Sequence, residues 1–291
     1  MKNRLFTNSL ALCLVGGANA ALVVHEDFDY STGALAGQNG GVGFTSAWTG
    51  GNFNVISGRS FGDLEVSGGA IQRPSRSGNT ATSRTVASSS LVGDGTTLWF
   101  SVLLQGTGSP AADVGGTAGF ATNTYGTLIF GDTVLTGGSG NSPAPIGAAG
   151  NAIGVGFRGG NGGNFDNLQV QGVLYDSGVV TTTSDANSPI VGGDTIFIVG
   201  SVDWAANGTD DVLTLYNVTD PNAALPTAFT TLTADLDQST FNILSVGDAQ
   251  TAIYDEIRLG TTLASVVPVP EPNSLALLGL AGIGFLRRKR N

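Results

Sequence analysis

Apolar residues alternate with polar ones in short runs along the middle of the chain, and no other feature constrains the fold as strongly. Clusters of Gly, Asn, Asp and Ser separate the runs, and 45 of the 291 residues are glycine. No long segment there has the 3.6-residue apolar period of an amphipathic helix. Because short alternating runs between turn residues are typical of antiparallel sandwiches and barrels, the sequence predicts an all-β domain. Ten runs have strand character: Leu22–Phe28, Phe53–Ser57, Thr97–Gln105, Thr127–Phe130, Ala152–Phe157, Leu168–Val170, Thr195–Trp204, Asp211–Val218, Phe241–Val246 and Ala252–Leu259.

Two of these runs, Thr97–Gln105 and Thr195–Trp204, alternate most clearly, and the second is predicted to be a central strand. Alternate residues of a strand point to the same side of a sheet. In Thr195–Trp204 both sides are apolar, which indicates a central position. The Asn207-Gly208 pair that follows tolerates positive φ, so Thr195–Val218 is predicted to form an antiparallel hairpin. The two core faces are Leu98, Phe100, Val102 and Leu104 in the first run and Ile196, Ile198, Val202 and Trp204 in the second.

The N-terminus has the three parts of a secretory signal peptide. These are a basic start, an apolar stretch and an A-x-A cleavage site: Lys2 and Arg4, residues 5–17, and Ala18-Asn19-Ala20. The signal peptide is therefore predicted to occupy residues 1–20, and the exported chain to begin at Ala21. The single cysteine, Cys13, lies within the signal peptide. The exported part therefore has no disulfide, and burial must stabilise it.

The C-terminus combines a proline motif, an apolar run and a cluster of cations. As a helix, the apolar run Ser274–Leu286 would rise about 20 Å, which is less than the roughly 30 Å of a bilayer core. The cationic side chains would therefore snorkel to the headgroups and remain on the cytoplasmic side. An ordinary short anchor, with the prolines as a rigid linker, would have the same parts. The motif and the cations are Pro270, Glu271 and Pro272, followed by Arg287, Arg288, Lys289 and Arg290.

This arrangement closely resembles the PEP-CTERM sorting signal of Gram-negative bacteria. The resemblance covers about the last two dozen residues, and all three parts occur in order. It implies recognition by an exosortase, a membrane cysteine protease, and cleavage near the motif. We therefore expect the Sec machinery to export the protein and the inner membrane to hold it transiently. After processing, it would reach the cell surface, the outer envelope or the extracellular matrix.

The part of the chain between the two end segments is strongly acidic. Between Ala21 and Pro270 there are six arginines, no lysine and twenty-one carboxylates, which gives a formal charge of −15. Such a surface repels nucleic acid, which needs clustered Lys and Arg. It suits a soluble protein of the cell exterior or one that attracts divalent cations.

The two ends of the predicted β domain resemble those of a concanavalin A-like, laminin-G-type jelly roll. Glu26–Phe44 with Ala47-Trp48 looks like the opening of that family, and Ala252–Val266 looks like its last strand. The resemblance implies an antiparallel two-sheet sandwich, flanked by the signal helix and a short C-terminal transmembrane helix. It does not imply one activity, because the superfamily includes lectins, glycosidases, lyases and adhesion modules. The predicted organisation is a signal peptide (residues 1–20), the sandwich (residues 21–265), a linker with the Pro-Glu-Pro motif (residues 266–272) and a transmembrane helix with the basic tail (residues 273–291).

The sequence predicts no catalytic centre. Retaining glycosidases need two carboxyl groups about 5 Å apart, and the nearest approach is Glu26-Asp27-Phe28-Asp29, in which Asp27 and Asp29 are expected on one strand face. Asp255 and Glu256 are adjacent, so they are expected on opposite faces. Asp255 is predicted to be a buried or loop-bonded acceptor that anchors the last strand, and Arg258 is predicted to pair locally with Asp255 or Glu256. His25, the one histidine, is predicted to be a surface strand residue.

The residues are compatible with two binding functions, which are calcium binding and contact with glycans. Calcium needs clustered oxygen ligands, and sugars pack on exposed aromatic faces beside polar groups. Trp99 and Trp204 are expected in the core instead. The calcium candidates are Asp27 with Asp29, Asn207 with Asp210 and Asp211, and Asp255, and the glycan candidates are Trp48, Tyr125 and Tyr175.

Three functional hypotheses follow. The leading one is a non-enzymatic surface or matrix protein, sorted by an exosortase and associated with exopolysaccharide. The second is a calcium-assisted, lectin-like carbohydrate-binding domain. The third is a divergent glycosidase or polysaccharide lyase.

Overall fold

The computed structural model describes most of the predicted sandwich and neither end segment. It describes residues 22–74, 80–87, 90–106, 125–135, 150–159, 168–182, 190–191, 194–248 and 252–268. The signal peptide with its cleavage site, the Pro-Glu-Pro motif, the predicted transmembrane helix and the basic tail lie outside these residues. None of the helices in the described part is long and apolar enough to cross a bilayer.

Within the described residues, seventeen strands form two antiparallel sheets, and the predicted two-sheet sandwich is confirmed. We number the strands in chain order. In the first sheet, neighbouring strands are β2 (Gly33–Ala34), β4 (Asn54–Ser57), β5 (Gly69–Gln72), β17 (Ala252–Gly260), β7 (Thr97–Gly106), β13 (Thr195–Asp203), β14 (Asp211–Val218) and β15 (Thr230–Ala234), with β1 (Leu22–Glu26) paired to β17. In the second, they are β3 (Thr49–Gly50), β6 (Thr80–Thr85), β16 (Ile243–Asp248), β8 (Tyr125–Gly131), β9 (Ala152–Gly159), β10 (Leu168–Asp176) and β11 (Val179–Thr182), with β12 (Ile190–Val191) paired to β10.

The main core lies between the sheets and contains both predicted core faces. Phe100 of β7 and Ile198 of β13 belong to one buried cluster with Leu128 and Phe130 of β8. β13 pairs with β7 on one side and with β14 on the other, so its predicted central position is confirmed. The β13–β14 hairpin is confirmed as well, with Val202 opposite Leu213.

A second apolar cluster covers the outer face of the first sheet. Leu103, Phe197 and Val199 project to this side of β7 and β13 and are fully buried. Two segments cover them: residues 58–68 and the short helix α1 (Leu263–Val266). The covering residues include Leu64 from the first segment and Val266 from the second.

Two sequence expectations about boundaries are wrong. β1 ends at Glu26 and not at Phe28, because Phe28 has a positive φ of 52° and turns the chain. Val266, expected as the first linker residue, is fully buried, and the carbonyl of Pro268 accepts a bond from Glu65 N–H at 3.0 Å. The packed part of the chain therefore extends beyond residue 265, at least to Pro268.

Candidate functional site

A β-bulge in β17 places two neighbouring carboxylates on the same side of the first sheet. Asp255 pairs with Leu103 and Arg258 with Ser101, so β17 has one extra residue between these points. Glu256 has a φ of 49°, the left-handed conformation that is found at the first residue of a G1-type bulge. The expectation that Asp255 and Glu256 point to opposite faces is therefore wrong, because the bulge interrupts the alternation.

Asp255 is a buried acceptor that fixes the outer segment 58–68 to the last strand, as predicted. It accepts hydrogen bonds from the backbone N–H of Arg59 at 2.6 Å and of Glu256 at 2.7 Å. Burial raises its pKa to about 7. The Asp255 carboxyl group is therefore held by backbone N–H groups of the fold, and it loses its proton near neutral pH.

Glu256 is the centre of a second set of contacts on this side. Its carboxylate lies 2.8 Å from His25 Nε2, 2.6 Å from Arg258 Nη2 and 2.5 Å from Ser67 N. Burial alone would raise the pKa of Glu256, but the bonds from His25 and Ser67 and the Arg258 charge together lower it. The local pairing of Arg258 is confirmed. His25 is a strand residue of β1, as expected, and it is partly exposed: its side chain is 17% accessible and contacts Glu256.

Glu26 is the centre of a buried polar cluster at the opening of the domain. Its carboxylate accepts bonds from Arg84 Nη1 at 2.5 Å, Trp48 Nε1 at 2.9 Å, Tyr30 Oη at 3.0 Å and Phe28 N at 3.0 Å. Burial raises the pKa of Tyr30, and the Glu26 charge raises it further. The cluster joins the N-terminal turn to β6 and leaves Glu26 inaccessible to a substrate.

The aromatic residues expected to contact glycans do not form a sugar platform. Trp48 is only 1% exposed in the main core, and its indole N–H donates to Glu26. Tyr175 is equally buried, on the outer side of the second sheet with Ile129 and Val173. Neither side chain therefore offers the exposed ring face that the predicted glycan contact requires. The side chain of Tyr125 lies outside the described part.

Most of the expected calcium ligands are not grouped. Asp29 follows the turn at Phe28 and does not share a strand face with Asp27, whose carboxylate accepts bonds from Asp29 N and Ser67 Oγ. Asp211 is buried, and its two oxygens accept the N–H groups of Ala205 at 2.7 Å and Leu236 at 3.0 Å. Among the described residues, no three His, Cys, Asp or Glu side chains are placed to hold a metal together.

An acceptor-rich cleft of about 360 Å³ lies beside the β13–β14 hairpin. It includes one calcium candidate, Asn207. The other lining residues come from two further loops. They could not be recognised from the sequence, because the two loops are far apart along the chain and share no sequence pattern. The cleft is lined by Val92, Gly93, Asp94, Asn207, Asp237, Gln238 and Ser239.

Gln238 is the least satisfied polar side chain in this cleft. It opens a 3₁₀ turn (Gln238–Thr240) and is 3% exposed. Its Nε2 donates to Asp94 Oδ1 at 3.0 Å and to the Ala205 carbonyl at 3.2 Å, whereas its buried Oε1 has no hydrogen-bond partner. The amide orientation is fixed, because a flipped Gln238 would place Oε1 against the Asp94 carboxylate.

The electrostatic field around the cleft is negative. Burial raises the pKa of Asp211 beside it, and the charges of Asp235 and Asp94 raise it further. Hydrogen bonds from the side chain and backbone of Ser239 lower the pKa of Asp237, so this exposed carboxyl group is ionised at neutral pH. The site therefore combines carboxylate and amide oxygens, which are the donors that hard cations prefer.

Several solved structures are similar to the described domain. One is the globular domain of T. cruzi calreticulin, with 12% identity, coverage of 85% of this chain and 90% of that chain, and a TM-score of 0.44. Another is peanut lectin with a 9-residue peptide, with 14% identity, coverage of 82% of this chain and 97% of that chain, and a TM-score of 0.41. A third is the carbohydrate-binding module CBM66 from Bacillus subtilis, with 10% identity, coverage of 72% of this chain and 95% of that chain, and a TM-score of 0.36. Similarity of this order carries no information about ligand or activity. No curated protein matches the chain.

The family comparison concerns the C-terminus. The model of the PEP-CTERM protein-sorting motif matches residues 268–290, which include all seven predicted sorting residues. This match implies a protein that is exported, anchored in the membrane before cleavage and processed there by an exosortase. The chain therefore carries a PEP-CTERM sorting motif that begins at the last described residue of the sandwich, Pro268.

Proposed function

We propose that this chain is a non-enzymatic protein of the cell surface or extracellular matrix that associates with exopolysaccharide after exosortase processing. The sorting motif at residues 268–290 is the observation that carries the proposal, because it assigns the sandwich as cargo for the cell exterior. The acidic composition supports it, since a charge of −15 keeps an exported domain soluble.

The contacts of the buried carboxylates support a non-enzymatic role. A retaining glycosidase needs two accessible carboxyl groups about 5 Å apart. Glu26, Asp211, Asp255 and Glu256 are instead buried and accept bonds from backbone N–H groups or from Arg, Trp and His side chains of the fold. These acids therefore support folding.

The sorting part of the proposal is tested by locating both termini of the protein in the producing bacterium. We expect intact-mass measurement of the surface or released form to give an N-terminus at Ala21 and a C-terminus before the basic tail. Recovery of full-length protein with both end segments, dissolved in the cytoplasm, would refute the proposal.

The association with polymer needs a separate experiment. The processed protein is expected to sediment with exopolysaccharide from the same bacterium and to leave its chain length unchanged. Enzyme-like turnover of that polymer by the purified protein would refute the non-enzymatic assignment.

Calcium-assisted carbohydrate binding at the cleft is a second candidate function, and the side-chain oxygens of Asp94, Asn207 and Asp237 around the same space favour it. No aromatic side chain is among the large exposed hydrophobic groups of the described residues, so stacking on sugars has little support there. A divalent cation would instead offset the negative field and coordinate sugar hydroxyl or carboxylate groups.

This candidate is tested by titrating the protein with CaCl₂ and following its thermal unfolding. Calcium should raise Tm, EGTA should reverse the shift, and Asp94→Asn or Asp237→Asn should weaken the apparent affinity at least tenfold. Asp210→Asn is the matched control, because this exposed acid lies on the same hairpin but not in the cleft. If calcium has no effect, or if all three variants respond alike, the cleft is not a calcium site.

A further inference from the structure

The last described residues of the chain, 263–268, are an integral part of the fold. Val266 is fully buried in the outer cluster, where it packs with Leu64 and Phe197. Two hydrogen bonds fix the backbone at Val266 and two residues after it. Ser101 Oγ donates to the Val266 carbonyl at 2.6 Å, and Glu65 N–H donates to the Pro268 carbonyl at 3.0 Å.

The sorting motif overlaps the last of these contacts. Its match starts at Pro268, so the folded domain and the motif share a residue. Only Val269 separates Pro268 from the Pro-Glu-Pro triplet. Because an extended chain spans at most about 3.6 Å per residue, Glu271 cannot be more than about 11 Å from Pro268. The processing enzyme therefore meets the motif close to the surface of the sandwich.

A cut before this point would damage the fold. Removal of residues 263–268 would uncover Leu64, Leu103 and Phe197 and would leave Ser101 Oγ without its buried acceptor. An exposed apolar patch is an aggregation hazard for an exported protein. The folded domain thus protects the chain up to Pro268, while the chain beyond it carries the motif.

We infer that the sorting cut falls on the C-terminal side of Pro268 and that residues 263–268 remain on the mature protein as a clamp over the outer face of the first sheet. This inference rests on the proposed function, because it requires the motif to be processed. In the cut, water adds to the acyl carbon, the peptide C–N bond breaks, and the released amine takes up the proton. The retained side ends in a carboxylate at residue 268 or later.

The direct test is the C-terminus of the mature form, read by intact mass and C-terminal peptide mapping. We expect every processed species to contain Pro268. A mature C-terminus at Val267 or earlier would overturn the inference while leaving the proposed sorting intact.

A second measurement does not depend on processing. Full-length protein in detergent is digested with proteinase K, and the resistant fragment is expected to end at or beyond Pro268. A resistant fragment that ends before Leu263 would overturn the clamp even if no sorting cut is found in cells. Absence of any cellular cut together with a fragment ending beyond Pro268 would refute the proposed function and uphold the clamp.

Variants connect the clamp to the fold. Val266→Asp should reduce the resistant fragment at least fivefold, whereas Val179→Asp, at a position 68% exposed, should not change it. If Val266→Asp fails to accumulate, Ser101→Ala is the milder variant, and it should speed trimming into residues 263–268 several-fold. Unchanged trimming in both Val266→Asp and Ser101→Ala would overturn the inference.

Discussion

Arg84 Nη1 lies 2.5 Å from Glu26 Oε2, and both side chains are completely buried. The guanidinium group also lies over the ring of Phe44, 3.8 Å from its centroid, and donates to the Gly40 carbonyl. This pair therefore joins β1, the loop after it and β6. Desolvation makes such a pair a weak source of net stability, but loss of one partner leaves a buried charge without compensation.

Glu26→Gln should therefore destabilise the protein by about 3–5 kcal/mol, because Arg84 remains charged and buried. The measurement is urea unfolding of the purified protein. Glu65→Gln is the control: this exposed carboxylate has no hydrogen bond from its side chain within the described residues, and its replacement should change stability by less than about 0.5 kcal/mol. The combined variant Glu26→Leu/Arg84→Met should lose less than the sum of its single variants. Additive losses would contradict the coupling.

Asp255 should make the protein less stable as the pH rises. Its pKa is about 7 in the folded protein, against an ordinary value of 3.8. The folded state therefore holds this proton more tightly than the unfolded state, and the corresponding stability is fully present below pH 3.8 and is lost as the pH passes through 7. Urea unfolding at pH 4.5 and 7.5 should differ by on the order of 2–4 kcal/mol. Asp255→Asn should remove most of this difference, and an equal slope in the variant would contradict the assignment.

Glu256 should make the protein more stable as the pH rises, which is opposite to Asp255, and its effect should lie at lower pH. Its pKa is lowered from 4.5, so its contribution is present above pH 4.5 and is lost as the pH falls further. Glu256→Gln should therefore flatten the acid limb of the stability curve below pH 4.5. Because the Glu256 charge also raises the pKa of Asp255, the variant should reduce the slope between pH 4.5 and 7.5 only in part, since burial is the larger cause of the Asp255 shift.

Strands with apolar alternation could be predicted from the sequence, whereas those without it could not. β7 and β13 were predicted almost residue for residue, because their core positions recur at every second residue. β6, with the sequence TATSRT, has no apolar alternation, and its strand state comes from pairing with β16. β2, β3 and β12 contain two residues each, too few for a pattern.

The candidate cleft was harder to predict because its residues come from separate loops. Asn207 was identified through the turn signal of its hairpin, but Asp94 and Gln238 are 144 residues apart in sequence and meet only in the folded sandwich. The bulge at Asp255 and Glu256 was missed because Ile253 and Ile257 alone fit an uninterrupted alternation. The core residues Tyr254 and Ile257 are instead three positions apart, and the extra residue between them reverses the face expected for Glu256.

Gly200 should be required because Phe100 lies directly across from it in the sheet. A Cβ atom at Gly200 would lie 2.2 Å from Phe100 Cζ. Gly200→Ala should therefore destabilise the protein by about 1–3 kcal/mol through overpacking, and Phe100→Leu in the same chain should recover part of the loss. Gly93→Ala is the control, since its nearest neighbour would lie 3.7 Å away. Thermal unfolding of the four proteins checks this, and equal Tm losses at Gly200 and Gly93 would contradict it.

Asp211 should determine the shape of the cleft through two backbone contacts. Its oxygens accept N–H groups from Ala205 and Leu236, which precede Asn207 and Asp237 in the two loops that line the cleft. In Asp211→Asn only one side-chain oxygen remains, so one buried N–H loses its acceptor at a cost of about 1–3 kcal/mol. Urea unfolding should detect this loss, and hydrogen exchange should accelerate at one of the two amides. Asp210→Asn, at the exposed neighbouring position, should change neither quantity. Identical exchange rates in the Asp211 variant and the parent protein would show that this carboxylate does not hold the two loops together.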